Sequence, residues 1–202
     1  MKELGRGTVA AVRRAGKEAL SLTVALDGGE TRVLTIPASL YERIGSPAAG
    51  AVLSDVALSE LSREAEYLLA CRHAIRILEY GDNNARTLRD KLTRKGISRE
   101  VAGEAVERMV ALGYIREGEQ ARRLAVGYAR RNLWGERKIV SALTAKGYSR
   151  ADAEAAVRTA VDEGEIDFQE VKKALVKRCR SRGFDDDKIR ATLWRYGFGH
   201  ED

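Results

Sequence analysis

The sequence is short of the residues on which most chemistry and most cross-linking depend. It carries two prolines, two cysteines and two histidines in 202 residues, and aromatic side chains make up 6%. So little proline excludes a proline-rich linker or a collagen-like chain, and 44% hydrophobic residues exclude a disordered one. Cys71 and Cys179 lie far apart with no CxxC spacing, which fits reduced thiols in a chain large enough to fold without a disulfide. No apolar run reaches the roughly 18 to 20 residues that span a bilayer. Arg13 and Arg14 also interrupt the N-terminal stretch where a signal peptide would need its apolar segment. A cytoplasmic protein without a membrane segment is therefore expected.

Catalytic and metal-binding signatures are equally scarce. Zinc needs about four convergent nitrogen or sulfur ligands, whereas His73 stands beside a single cysteine, Cys71, and His200 lies at the far end of the chain. Gly5-Arg6-Gly7 has neither the preceding strand nor the following helix of a dinucleotide-binding turn, and no phosphate-cradling G-x-x-x-x-G-K-[ST] sequence occurs. Asp185, Asp186 and Asp187 cluster where a helix starts, as capping and dipole complementation require. The expectation is a protein with no active site, no metal and no cofactor.

What the sequence does have is charge and periodicity. Net charge is +6, and its placement is uneven: 28 of the 36 basic side chains follow residue 66, against 21 of the 30 acidic ones. A basic surface attracts polyanions or acidic protein faces.

Two textures follow one another along the chain. Residues 7–36 read as strands. Thr8–Val12, Ala19–Leu26 and Thr31–Ile36 are short and rich in β-branched residues, Leu20, Leu22, Val24 and Leu26 alternate, and Asp27-Gly28-Gly29-Glu30 supplies a hairpin turn. A three-stranded meander is predicted, with a short helix at Ala38–Ile44 and a break at Gly45–Gly50.

From about Leu61 the period changes to 3.6 residues. Ala102, Ala105, Val106, Met109 and Val110 form an amphipathic stripe, and Ala153, Ala156, Val157, Ala160 and Val161 repeat it 51 residues later. Ser98 and Ser149 occupy matching N-cap positions, and Gly113 and Gly164 matching stops. Upstream, Leu88-x-x-x-Leu92-x-x-Lys95-Gly96-Ile97 matches Ile139-x-x-x-Leu143-x-x-Lys146-Gly147-Tyr148. A third copy, Ile189-x-x-x-Leu193-x-x-Tyr196-Gly197-Phe198, follows at an offset of 50. Arg182-Gly183-Phe184 offers a competing register, in which Asp185–Arg195 would be the last helix of its unit. Further helical stretches precede these blocks at about Leu61–Tyr80, Glu119–Leu133 and Phe168–Arg182.

The predicted fold is therefore mainly α: an elongated array of tandem three-helix repeats behind a small β-rich N-terminal domain. The expected division is a β-meander domain with a short helix at 1–58, repeat 1 at 59–115, repeat 2 at 116–166 and an incomplete repeat 3 at 167–202.

Basic side chains recur in each unit. Arg86, Arg89, Arg94 and Lys95 flank the first leucine stripe; Arg122, Arg123, Arg130, Arg131, Arg137 and Lys138 the second; Lys172, Lys173, Lys177, Arg178, Arg180 and Arg182 the third. Their recurrence predicts a continuous basic stripe, and the expected contact residues are those of the first two units with Lys173, Lys177, Arg180 and Arg182. Such a stripe meets either phosphates or an acidic protein groove. Trp134 and Trp194 sit near the middle helix of a unit, Tyr128, Tyr148, Tyr196 and Phe198 cluster near the junctions, and none is interleaved with the arginines, so they read as packing residues, not as base-stacking platforms.

Several of these segments together resemble the RecX regulatory family. They are Thr87-Leu88-Arg89-Asp90-Lys91-Leu92-Thr93-Arg94-Lys95-Gly96-Ile97, the exit Leu112-Gly113-Tyr114-Ile115, Tyr128-Ala129-Arg130-Arg131-Asn132-Leu133-Trp134-Gly135 and Arg180-Ser181-Arg182-Gly183-Phe184. The N-terminal segment, with Leu40-Tyr41-Glu42-Arg43-Ile44-Gly45 and Gly50-Ala51-Val52-Leu53-Ser54, is similar to an extension found in some branches of that family. The resemblance spans nearly the whole chain. It implies a non-enzymatic bacterial modulator of the RecA recombinase filament; a monomer is expected. Such a protein inhibits ATPase, strand exchange and co-protease activity, and so acts in homologous recombination, DNA repair and the SOS response. The alternative is a helical-repeat protein that holds single- or double-stranded DNA directly through the basic stripe.

Overall fold

A computed structural model describes residues 6–199; Gly5 and His200, singled out above, lie outside them. The chain forms two compact units, one comprising residues up to Glu79 with Lys91–Met109, the other Tyr80–Asp90 with the residues from Val110 onward.

The first unit begins with strands β1 (Gly7–Arg14), β2 (Ala19–Leu26) and β3 (Thr31–Pro37), then a short helix α1 (Ala38–Arg43). The alternation read in the sequence sets the sheet's buried face: Val9, Leu22, Val24, Leu34 and Ile36 share one core with Leu40, Leu53, Leu58 and Leu61. The meander gains a fourth member. The two-residue β4 (Val52–Leu53) pairs antiparallel with β1, so the order is β3-β2-β1-β4. A strand this short leaves no period to detect.

Helix α2 (Asp55–Glu79) starts six residues ahead of the predicted Leu61. Its early start follows from Ser54, whose hydroxyl accepts from the Ala57 amide at 3.3 Å. Its Glu66 carboxylate receives both the amide (2.5 Å) and the hydroxyl (3.1 Å) of Ser98, and Arg63 pairs with Glu104. These contacts hold the start of α4 (Arg99–Ala111) against α2.

Helix α3 (Ala85–Arg94) precedes α4; α5 (Glu117–Asn132), α6 (Glu136–Ala145) and α7 (Arg150–Asp162) form the next triplet. Helices α8 (Phe168–Arg180) and α9 (Asp186–Arg195) complete the described chain. The matching stops behave alike: Gly113 and Gly164 close α4 and α7 at φ of 75° and 73°. Ser149 caps α7 by accepting from the Asp152 amide, Asp167 caps α8, and Asp185 caps α9. The Lys188 amide donated to Asp185 holds that carboxyl below its ordinary range. Helix α5 stops differently, because Leu133 itself enters the left-handed region at φ 55°. The amphipathic stripes are buried in both copies except at the last position. Val110 and Val161 are exposed by 47% and 40%, which departs from the predicted pattern at the same register twice.

The third copy takes the Ile189/Leu193 register. Helix α9 has the ten residues of α3 and α6, not the thirteen of α4 and α7. Ile97, Tyr148 and Phe198 donate their amides to Leu92, Leu143 and Leu193 respectively, a closure that Phe184 also makes to Cys179, so helix length and not this contact distinguishes the registers.

Within the second unit the repeats are joined by one recurring contact. Asn84, just before α3, accepts from the Thr87 amide and donates its side-chain amide to the Lys146 carbonyl at 2.9 Å, at the end of α6. Gly135, at the corresponding place before α6, donates its backbone N–H to the Tyr196 carbonyl at 2.7 Å, at the end of α9. The start of one middle helix is thus tied to the end of the next. The second junction is so close that a Cβ on Gly135 would lie 2.8 Å from the Gly197 carbonyl, and one on Gly197 2.5 Å from the Lys138 nitrogen.

Gly197 has φ 93° and Gly164 φ 73°, so alanine at either pays a left-handed penalty of roughly 1–2 kcal/mol. Nothing lies near Gly164, whereas Gly197 faces backbone. Gly197→Ala is therefore expected to lower the urea midpoint clearly more than Gly164→Ala. Equal losses would show that the junction is not tightly packed.

Candidate partner-contact surface

The fourteen predicted contact residues meet three different fates. The first group is engaged by ion pairs and a backbone hydrogen bond within the second unit. Arg122 pairs with Glu163 and lies 3.6 Å from Glu165, Arg130 donates to the Glu165 carbonyl at 3.1 Å, and Arg123 pairs with Asp82 at 2.7 Å. Together Arg122 and Arg130 clamp the turn that leaves α7.

The second group builds the junction. Arg137 donates to the Phe198 carbonyl at 2.6 Å and to that of Gly197 at 3.5 Å, and its guanidinium lies 4.0 Å over the Trp194 ring. Lys138 donates to the Arg195 carbonyl at 3.3 Å and sits between the Trp134 and Tyr196 rings, at 4.9 and 4.7 Å. Each cation thus serves the carbonyl-rich end of α9, where the helix dipole favours positive charge, and stacks on aromatic faces. Tyr128 packs on Trp134 with ring centroids 4.8 Å apart, so the aromatics gathered at the junctions are packing residues. Trp194 is half exposed but lies under Arg137.

The third group faces outward. Arg86 and Arg89 are exposed in the second unit, and Arg94 and Lys95 in the first. Arg131 and Arg182 are exposed, and Lys173, Lys177 and Arg180 share one face of α8 with Lys172, which the sequence reading left out of the contact set. Lys173 pairs with Glu170 on its own helix at 2.7 Å.

A broader groove runs along α6 and α7, about 720 Å³, with Val140, Val157, Val161 and Phe168 on its floor and Arg137, Arg150 and Arg158 at its rim. Arg150 is paired with Glu154 at 2.8 Å. No group of three or more potential metal ligands occurs among the described residues. Burial pushes the Cys71 thiol up from its ordinary value, and burial with Lys95, Arg76 and Arg72 nearby pulls His73 down. Cys179 is buried among Leu175, Ile189 and Phe198. Among the described residues, no helix is long and apolar enough to cross a membrane.

Asn84, Gly135, Gly197, Glu163 and Glu165 hold these contacts, and none of them stands out in the sequence by residue type. Asn84 and Gly135 do stand 51 positions apart, which is the signal that could have found the junction.

No protein-family model matches the chain, and no curated protein does. Among solved structures, the fold is similar to a crystal structure of regulatory protein RecX, with a TM-score of 0.71 at 16% identity over 96% of both chains. It is also similar to the crystal structure of RecX from Lactobacillus salivarius, with a TM-score of 0.58 at 20% identity over 67% of this chain and 90% of that one. The chain has a RecX-like fold.

Truncating Arg137 to alanine removes a charged hydrogen bond and a cation–π contact, so a loss of roughly 1–3 kcal/mol is expected. Arg131→Ala, at an exposed side chain, should stay within about 0.5 kcal/mol. Chemical denaturation of the two variants checks this, and equal stabilities would return Arg137 to the free surface.

Proposed function

We propose that this protein is a non-enzymatic regulator that binds the RecA–DNA filament and lowers its ATPase, strand-exchange and co-protease activities, working as a monomer in the bacterial cytoplasm. The observation that carries the reading is a RecX-like fold over 96% of the chain, coupled to the family's sequence resemblance across the same repeats. The recurring N-cap to C-cap junction supports it physically. It fixes contact residues of successive repeats relative to each other in the second unit, and several weak contacts on one stiff scaffold add through effective concentration. The reading assigns binding to outward cations, Arg131, Lys177 and Arg180 foremost, with Arg137 and Lys138 as their support.

Titrating the purified protein into a RecA ATPase assay on single-stranded DNA tests this. Inhibition is expected at concentrations where the protein binds naked DNA poorly, and Arg131→Glu with Lys177→Glu should weaken it at unchanged melting temperature. Equal potency against an unrelated DNA-dependent ATPase would instead assign direct DNA binding. Unchanged inhibition by the double variant would remove both residues from the interface.

A further inference from the structure

Helix α8 is the counterpart of α5, with Gly113 and Gly164, and Ile115 and Ile166, fixing the offset at 51. In repeat 2 the face of α5 formed by Ala121, Ala125 and Ala129 is completely buried, in one core with Ala153, Ala156, Val157 and Ala160 of α7. It is the seat of a helix. On α8 the same positions are Lys172, Val176 and Arg180, and their neighbours Gly118, Arg122 and Val126 become Gln169, Lys173 and Lys177. These six residues line an open groove of about 520 Å³. No helix of the described chain covers it.

A repeat face left open to solvent has to be polar for solubility, yet solubility alone does not demand one sign of charge. The groove has four cations, one amide and no carboxylate among its lining residues. Lys173 has an acidic partner on its own helix, and among the described residues Lys172, Lys177 and Arg180 form no ion pair. Repeat 2 shows what the one cation at this register does when the seat is filled: Arg122, equivalent to Lys173, pairs with Glu163 immediately after α7.

We infer that the α8 face is the docking seat for an acidic amphipathic helix of a partner protein, laid on α8 as α7 lies on α5. Its carboxylates meet Lys172, Lys173, Lys177 and Arg180, and a small apolar side chain meets Val176. The long lysine and arginine stems cover apolar surface while their heads stay hydrated, so this helix rides higher than α7 and binds mainly by charge. Two features favour a helix over a nucleic-acid backbone: Val176 in the groove has nothing to bury against phosphates, and no aromatic side chain lines the groove for base stacking. The inference stands on the repeat register and the charge of the groove, and holds whether or not the partner belongs to a RecA filament.

The test uses the full chain and a fluorescein-labelled peptide of residues 149–166 carrying Ala153→Glu and Ala160→Glu, read by anisotropy. The acidic peptide is expected to bind and to weaken as salt rises, and a counterpart with lysine at both positions is not. Lys172→Glu, Lys177→Glu and Arg180→Glu together should weaken binding at least tenfold with the circular dichroism spectrum intact. The corresponding triple alanine variant should give a smaller loss in the same direction, and keeps the test valid if the charge reversal unfolds. Equal binding by parent and variants, or no binding of the acidic peptide, overturns the inference. So does a twenty-nucleotide oligothymidylate that binds through these three residues while the peptide does not.

Discussion

The contact on which the helical part of the second unit depends is small: a donor placed where a middle helix begins reaches the carbonyl where the next middle helix ends. In one instance the donor is the Asn84 side chain, and in the other the Gly135 backbone itself. Each bond contributes only about 0.5–1.5 kcal/mol net. Its structural leverage is larger, because helix ends leave backbone groups unpaired, and here two ends satisfy each other across a repeat boundary. The substitution of glycine for asparagine changes the approach distance. Without a side chain at Gly135 the backbones of residues 135 and 197 come into direct contact, and Arg137 and Lys138 close over the carbonyls of residues 195–198.

That geometry reorders the meaning of the basic residues. A count of lysines and arginines suggests one long cationic stripe, but Arg122, Arg123, Arg130, Arg137 and Lys138 are all engaged within the chain. Cations held on carbonyls and aromatic rings have little left to offer a partner. Lys172, Lys173, Lys177 and Arg180 share one face of α8, at the register where repeat 2 uses alanines to accept its own third helix.

Most of the fold was legible in the sequence because its signals are local. Alternation gave the three longer strands, apolar stripes at helical spacing gave α4 and α7, and serine, aspartate and glycine marked ends. The misses share a cause. Two-residue β4 is specified by its partner β1, the start of α2 by a single serine, and the end of α5 by Leu133 in a conformation that no residue code announces. The contact surface was less legible, since whether Arg137 faces solvent or the end of α9 is decided by residues 60 positions away. The repeat offset nevertheless held that information: Ala121, Ala125 and Ala129 against Lys172, Val176 and Arg180 is a comparison the sequence alone permits.

The claim that repeats are locked end to end is most directly tested by native-state hydrogen exchange at the Gly135 amide. As the residue preceding α6, Gly135 has no acceptor in that helix, and its N–H is directed at the Tyr196 carbonyl. The account predicts exchange as slow as that of the amides inside α6, released only when the second unit opens. Exchange at the rate of an exposed loop amide would contradict it.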